Sequence, residues 1–176
     1  MRRRAVLSVP ALLLLAGCAG PGVRDRRASP ESDAATLNGL LALEHEAAAA
    51  YRLVRDRGGL REDPRSMAMR FLEDHVRHAE ALSRTIVRLG GAPVADRYGA
   101  EAYGLSADQI RAEADAIRLV AGYEKGLADA YLGAVPAVGD RLLAKAAANI
   151  LGVETMHWTV WREALGEPPA PAPFLS

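Results

Sequence analysis

Six side chains able to do chemistry fall where a helical protein would be expected to place apolar ones. Glu44, His75, Glu124, Glu154 and His157 occupy seam positions in runs of Leu, Ala, Ile and Val that recur every three or four residues, and His78 lies along the same face as His75. Unpaired charge in a core is costly, so each of these groups demands a partner. Residues three apart on a helix share a face, so His75 with His78, and Glu154 with His157, each present two donors to one centre. A set of carboxylates and imidazoles suits iron, manganese or zinc. No Lys or Arg falls on the seam at that level, which favours a metal over a salt-bridge network.

The set repeats. Glu44 and Tyr51 are followed by His75 and His78; Glu124 and Tyr131 are followed by Glu154 and His157; the offset is 80 residues for the first pair and 79 for the second. This pattern is that of a duplicated helical hairpin. Tyr51 and Tyr131, each seven residues beyond a glutamate, are expected to hydrogen-bond the site carboxylates. Asp74, four residues before His78, is a reserve carboxylate. His45 and Glu46 turn away from the seam and read as solvated surface, whereas Trp158 and Trp161 read as packing anchors.

Four helices must position these groups. The first is expected from an N-cap at Ser32 or Asp33 to Gly58-Gly59, and the second from Asp63-Pro64 to Gly90-Gly91. The third is expected from the capping box Ser106-Ala107-Asp108-Gln109 to Pro136, and the fourth from Gly139-Asp140 to Gly166. The first and last connections are short and make antiparallel hairpins. The stretch GGAPVADRYGAEAYGL between the second and third helices is long enough to cross the bundle. The expected fold is all-α, an antiparallel four-helix bundle with one long crossover between its second and third helices.

At this point the chain resembles the ferritin-like superfamily, and more closely its exported bacterial members, over about residues 33 to 166. Di-iron members carry a Glu on each of two helices and a Glu-x-x-His on each of the other two. Glu44 and Glu124 match the single glutamates, and Glu154-Thr155-Met156-His157 matches one Glu-x-x-His. The other motif is altered: His75-Val76-Arg77-His78 has a histidine where the family has glutamate. Three carboxylates and three histidines leave three outcomes open: an altered dinuclear centre, a single ion held by His and Glu, or a relic site whose charges pair among themselves. If iron is held as a pair, the resemblance implies oxidation of ferrous iron or reduction of oxygen or peroxide. The reading from a different class is a metal-free structural or interaction bundle of the cell envelope.

The N-terminus reads as an address. Arg2, Arg3 and Arg4, an apolar run from Ala5 to Leu15 and a small-residue ending have the layout of a secretory signal over residues 1–17. Leu15-Ala16-Gly17-Cys18 resembles the bacterial lipobox, in which the cysteine is acylated after cleavage. Arg3-Arg4 also fits a twin-arginine export signal. The expected order is signal 1–17, tether 18–31, bundle 32–166 and proline-rich tail 167–176, on an envelope lipoprotein facing the periplasm or the outside. A lipid tether and such a tail fit an individual bundle or homodimer better than a storage cage.

Composition excludes other classes. The whole chain carries 22 basic and 22 acidic residues, and loss of the signal's three arginines leaves a net −3, with no basic surplus for nucleic acid. A lone cysteine rules out an internal disulfide, a CxxC pair and a Cys-rich zinc site. No GxSxG, Gly-rich phosphate loop or Ser/His/Asp order is present. Cys18→Ser is expected to abolish fatty-acid labelling of the protein and to move it from the membrane pellet to the soluble fraction.

Overall fold

The computed structural model describes residues 29–170. The expected signal peptide, Cys18, all but the last residues of the tether, and the end of the tail lie outside the described residues. Four helices form the bundle: α1 (Pro30–Arg57), α2 (Glu62–Arg88), α3 (Glu113–Ala134) and α4 (Arg141–Ala164). Short turns join α1 to α2 and α3 to α4, and these pairs make the most extensive contacts. Residues 89–112 form the long crossover, with 3-10 turns at Ala100–Tyr103 and Ala107–Gln109. None of these helices is long and apolar enough to cross a membrane.

Local chemistry sets the helix ends. Ser29 Oγ accepts from the Ser32 N–H while Ser29 N–H donates to Ser32 Oγ, and Pro30 follows at the first helical position. The first helix is therefore capped three or four residues earlier than expected, inside the segment expected as tether, and Ser32 is the partner of the cap rather than the cap. Asp33 turns inward instead: buried, it accepts the Gly139 and Asp140 backbone N–H groups at 2.9 and 3.3 Å. It thereby ties the start of α1 to the turn between α3 and α4. In α2 the helix opens at Glu62 after Arg61, so Pro64 sits third in the helix and Asp63 is not its cap.

The largest departure is at α3. The Ser106 capping box exists, but it closes only a single 3-10 turn, after which Ile110 is extended. The α-helix starts at Glu113, where the Asp115 carboxylate accepts from the Arg111 and Ala112 N–H groups. Ile110 still reaches the core, as its apolar character requires.

α1 is the central helix. Ala47, Ala48, Ala49 and Ala50 are all buried, because α2 and α3 cover two sides and the crossover, through Leu105, covers another. Asn38 clasps the crossover, donating to Ala92 C=O at 2.9 Å and accepting from Val94 N–H at 2.8 Å. Arg52 pairs with Asp96 at 3.2 Å. That cover overturns the expectation of a solvated face: His45 and Glu46 are half-buried, the His45 ring faces a cleft that Asp96 and Tyr98 help to close, and Glu46 accepts from the Tyr123 hydroxyl at 2.9 Å. Asp33→Ala, which removes the buried carboxylate that accepts from the Gly139 and Asp140 N–H groups, is expected to lower unfolding free energy by about 2 kcal/mol in urea denaturation.

Candidate metal centre

All six expected donors converge midway along the bundle. Glu44, His75, Glu124 and Glu154 are fully buried, His157 is buried, and His78 keeps 14% of its side chain exposed. Among the described residues no Lys or Arg is buried, so no side-chain cation from outside the set compensates its charge.

The two hairpins are laced crosswise. Tyr131 donates to Glu44 Oε1 at 2.6 Å, and Tyr51 donates to Glu124 Oε1. Glu44 thus meets Tyr131 while Tyr51 meets Glu124, so α1 and α3 run antiparallel and each half's tyrosine holds the other half's glutamate. Trp161 donates its indole N–H to the Tyr51 oxygen at 2.6 Å, extending the chain to α4. Trp161 is thus more than the packing anchor expected from the sequence, and its place seven residues after Glu154, on the same face, is the signal for this role. Burial and the neighbouring carboxylates push both tyrosine hydroxyls far above their ordinary range, so they act as donors.

His75 lies at the middle. Its Nδ1 is 2.9 Å from Glu44 Oε2 and its Nε2 is 3.2 Å from Glu124 Oε1. His78 Nδ1 lies 2.9 Å from Glu154 Oε1 and 3.4 Å from Glu44 Oε1. His157 Nδ1 lies 3.4 Å from Glu124 Oε2 and 3.7 Å from Glu154 Oε2, and Phe71 stacks on its ring at 3.8 Å. Asp74 does not enter the cluster as a replacement carboxylate. It stands behind His157, 3.5 Å from Nε2, as an ion-pair partner of the ring.

Two overlapping donor sets result. One holds Glu44, His75, His78 and Glu154, the other His75, Glu124, Glu154 and His157, and within each set the donor atoms lie within 4.8 Å of one another. Five buried atoms in them lack a directed hydrogen bond: His78 Nδ1, Glu124 Oε2, both Glu154 oxygens and His157 Nδ1. They are close to opposite charges but off the line of any hydrogen bond, an arrangement suited to converging on an ion.

The electrostatics follow from the same contacts. Burial alone would depress His78 and His157, but Glu154 with Glu44, and Glu124 with Glu154, outweigh it and hold each imidazole at about 9. His75 is likewise raised by Glu124 and Glu44 against its burial. Burial would raise Glu124, yet His157 and His75 pull it down to about 2. The raised imidazoles thus carry positive charge beside the ionised Glu124 when no metal is bound.

A family model described as a ferritin-like domain matches residues 32–167. No curated protein matches the chain.

The metal-free protein has a defined pH window. Raised histidines contribute stability below pH 6.5 that is lost as pH climbs through 9; the lowered Glu124 contributes above 4.5 and is lost as pH falls through 2. Maximum stability is expected between pH 4.5 and 6.5, with Tm falling by roughly 10 °C at pH 9 in thermal melts with chelator present.

Proposed function

The chain belongs to the ferritin-like family, and on that footing we propose that it is an exported, membrane-tethered lipoprotein whose bundle binds transition-metal ions, iron foremost, at the Glu/His cluster. The observation that carries this reading is the group of five buried donor atoms without directed hydrogen bonds. Each such atom left uncompensated costs roughly 1–3 kcal/mol, a burden that a bound cation relieves. The donor chemistry fits: mixed carboxylate and imidazole ligands suit iron, with manganese or zinc as alternatives.

The chain's own residues prepare the site. Tyr51 and Tyr131 hold Glu124 and Glu44 in place, Trp161 holds Tyr51, Asp74 pairs with His157, and the apolar residues around them exclude water. Bound iron supplies electron transfer to or from a small oxidant, so the proposed activity is oxidation of ferrous iron or reduction of dioxygen or peroxide. An apolar cavity of about 60 Å³, lined by Leu37, Leu40, Leu82, Tyr131, Leu143 and Ile150, has room for a molecule of that size. Lipidation of Cys18 and export through the general or twin-arginine route place the bundle outside the cytoplasm as a single unit or homodimer.

One observation favours a second reading, a metal-free envelope scaffold. His75 engages Glu44 and Glu124 through both ring nitrogens, and the numbers of carboxylates and imidazoles are equal. Metal analysis separates the two. The protein purified from membranes without chelator is expected to carry near-stoichiometric metal by mass spectrometry, and the Glu44→Ala, His157→Ala double variant to carry none. A folded parent that stays metal-free after incubation with iron, manganese and zinc establishes the scaffold.

A further inference from the structure

The two donor sets share Glu154 and His75, and the two shared groups are chemically unequal. A carboxylate can serve two centres because each oxygen carries lone pairs. Glu154 does face both ways: Oε1 lies 2.9 Å from His78, and Oε2 lies 3.7 Å from His157 and 4.0 Å from His75 Nδ1. A neutral imidazole has one lone pair, and its other ring nitrogen carries a hydrogen. The His75 nitrogens point into different sets, Nδ1 toward Glu44 and Nε2 toward Glu124. Whichever nitrogen gives its lone pair to an ion presents an N–H to the other set. That N–H engages the second set's glutamate and removes two donors from it at once.

The surroundings choose between the sets. The Asp74 carboxylate lies 3.5 Å from His157 Nε2, and its charge favours the hydrogen on that nitrogen, which leaves the Nδ1 lone pair facing Glu124 and Glu154. Glu44 Oε2, 2.9 Å from His75 Nδ1, stands in the same relation to His75, leaving Nε2 for the set that contains Glu124. Both histidines of one set are therefore held by an outer carboxylate. For His78 the corresponding nitrogen has no such carboxylate among the described ion pairs.

Resting on the metal reading above, we infer that the chain binds a single ion tightly, in the set His75 Nε2, Glu124, Glu154 and His157, and that His75 is what prevents a second. Glu44 and His78 serve as outer partners: Glu44 orients His75, and His78 lies 2.9 Å from the other oxygen of Glu154. The duplicated hairpin supplies two half-sites, and one substitution makes them mutually exclusive.

The test is titration of the full-length protein in detergent with Mn2+, read by calorimetry and by electron paramagnetic resonance. The parent is expected to bind one equivalent tightly and to give the hyperfine signal of an isolated ion when more is added. His75→Glu, which restores a second shared carboxylate, is expected to bind two equivalents that give an exchange-coupled signal. His157→Ala is expected to abolish tight binding, and His78→Ala to weaken it by no more than the roughly 10–100-fold typical of an outer partner. Two equivalents or a coupled signal in the parent overturns the inference while leaving the metal reading intact. One equivalent in both parent and His75→Glu also overturns it, since His75 is then not limiting. Equal loss from His78→Ala and His157→Ala overturns the choice of set, and decides the matter even where His75→Glu does not fold. A parent that binds no Mn2+, iron or zinc overturns the metal reading and the inference together.

Discussion

Three carboxylates and three imidazoles buried at the centre of one bundle must satisfy each other, because among the described residues no cation from Lys or Arg is buried to help. Moving a lone charge out of water costs several kcal/mol after relaxation, so the helices can pack only in a register that brings all six groups together. Protons and metal ions are the two means of compensation open to them. With protons, the histidines themselves carry the positive charge; with a metal, the histidines are neutral ligands and the ion carries it.

That constraint explains the polar framework around the cluster. Tyr51 and Tyr131 cross between hairpins to the opposite glutamates, so the α1–α3 contact is fixed by two buried charge-assisted hydrogen bonds as well as by apolar packing. Trp161 and Phe71 extend the framework to α4 and α2, one through a hydrogen bond to Tyr51 and the other by stacking on His157. Each member is thus held by a neighbour on another helix, which gives the site a single arrangement.

The near-symmetry of the halves makes their one difference informative. Glu154 and His75 occupy matching places in the two hairpins, yet one is a shared carboxylate and the other a ring whose nitrogens face different glutamates. The exchange keeps the bundle intact, since an imidazole fills the same space and finds partners on both sides. What it changes is the number of lone pairs aimed at the centre, and so the chemistry available there.

Much of this was written in the chain. Apolar period placed all four helices, glycines marked the ends of α1, α2 and α4, the crossover's length set the connectivity, and the 80- and 79-residue offsets predicted which ionisable groups would meet. Those features are legible because a helix of 3.6 residues per turn fixes which residues share a face whatever lies opposite. Other features depended on what lies opposite. The Ser106 capping box closed only one turn because the crossover must still carry Ile110 into the core before α3 can begin. Asp33 became a clasp for the Gly139 turn, and His45 and Glu46 gained cover, because distant segments fold over them. Asp74 stands behind His157, and His75 sits between two glutamates, through packing across helices. The sequence determined which groups are buried together; the tertiary structure alone decided which atom of each faces which partner, because that choice depends on rotamers and helix-to-helix distances that no local pattern encodes.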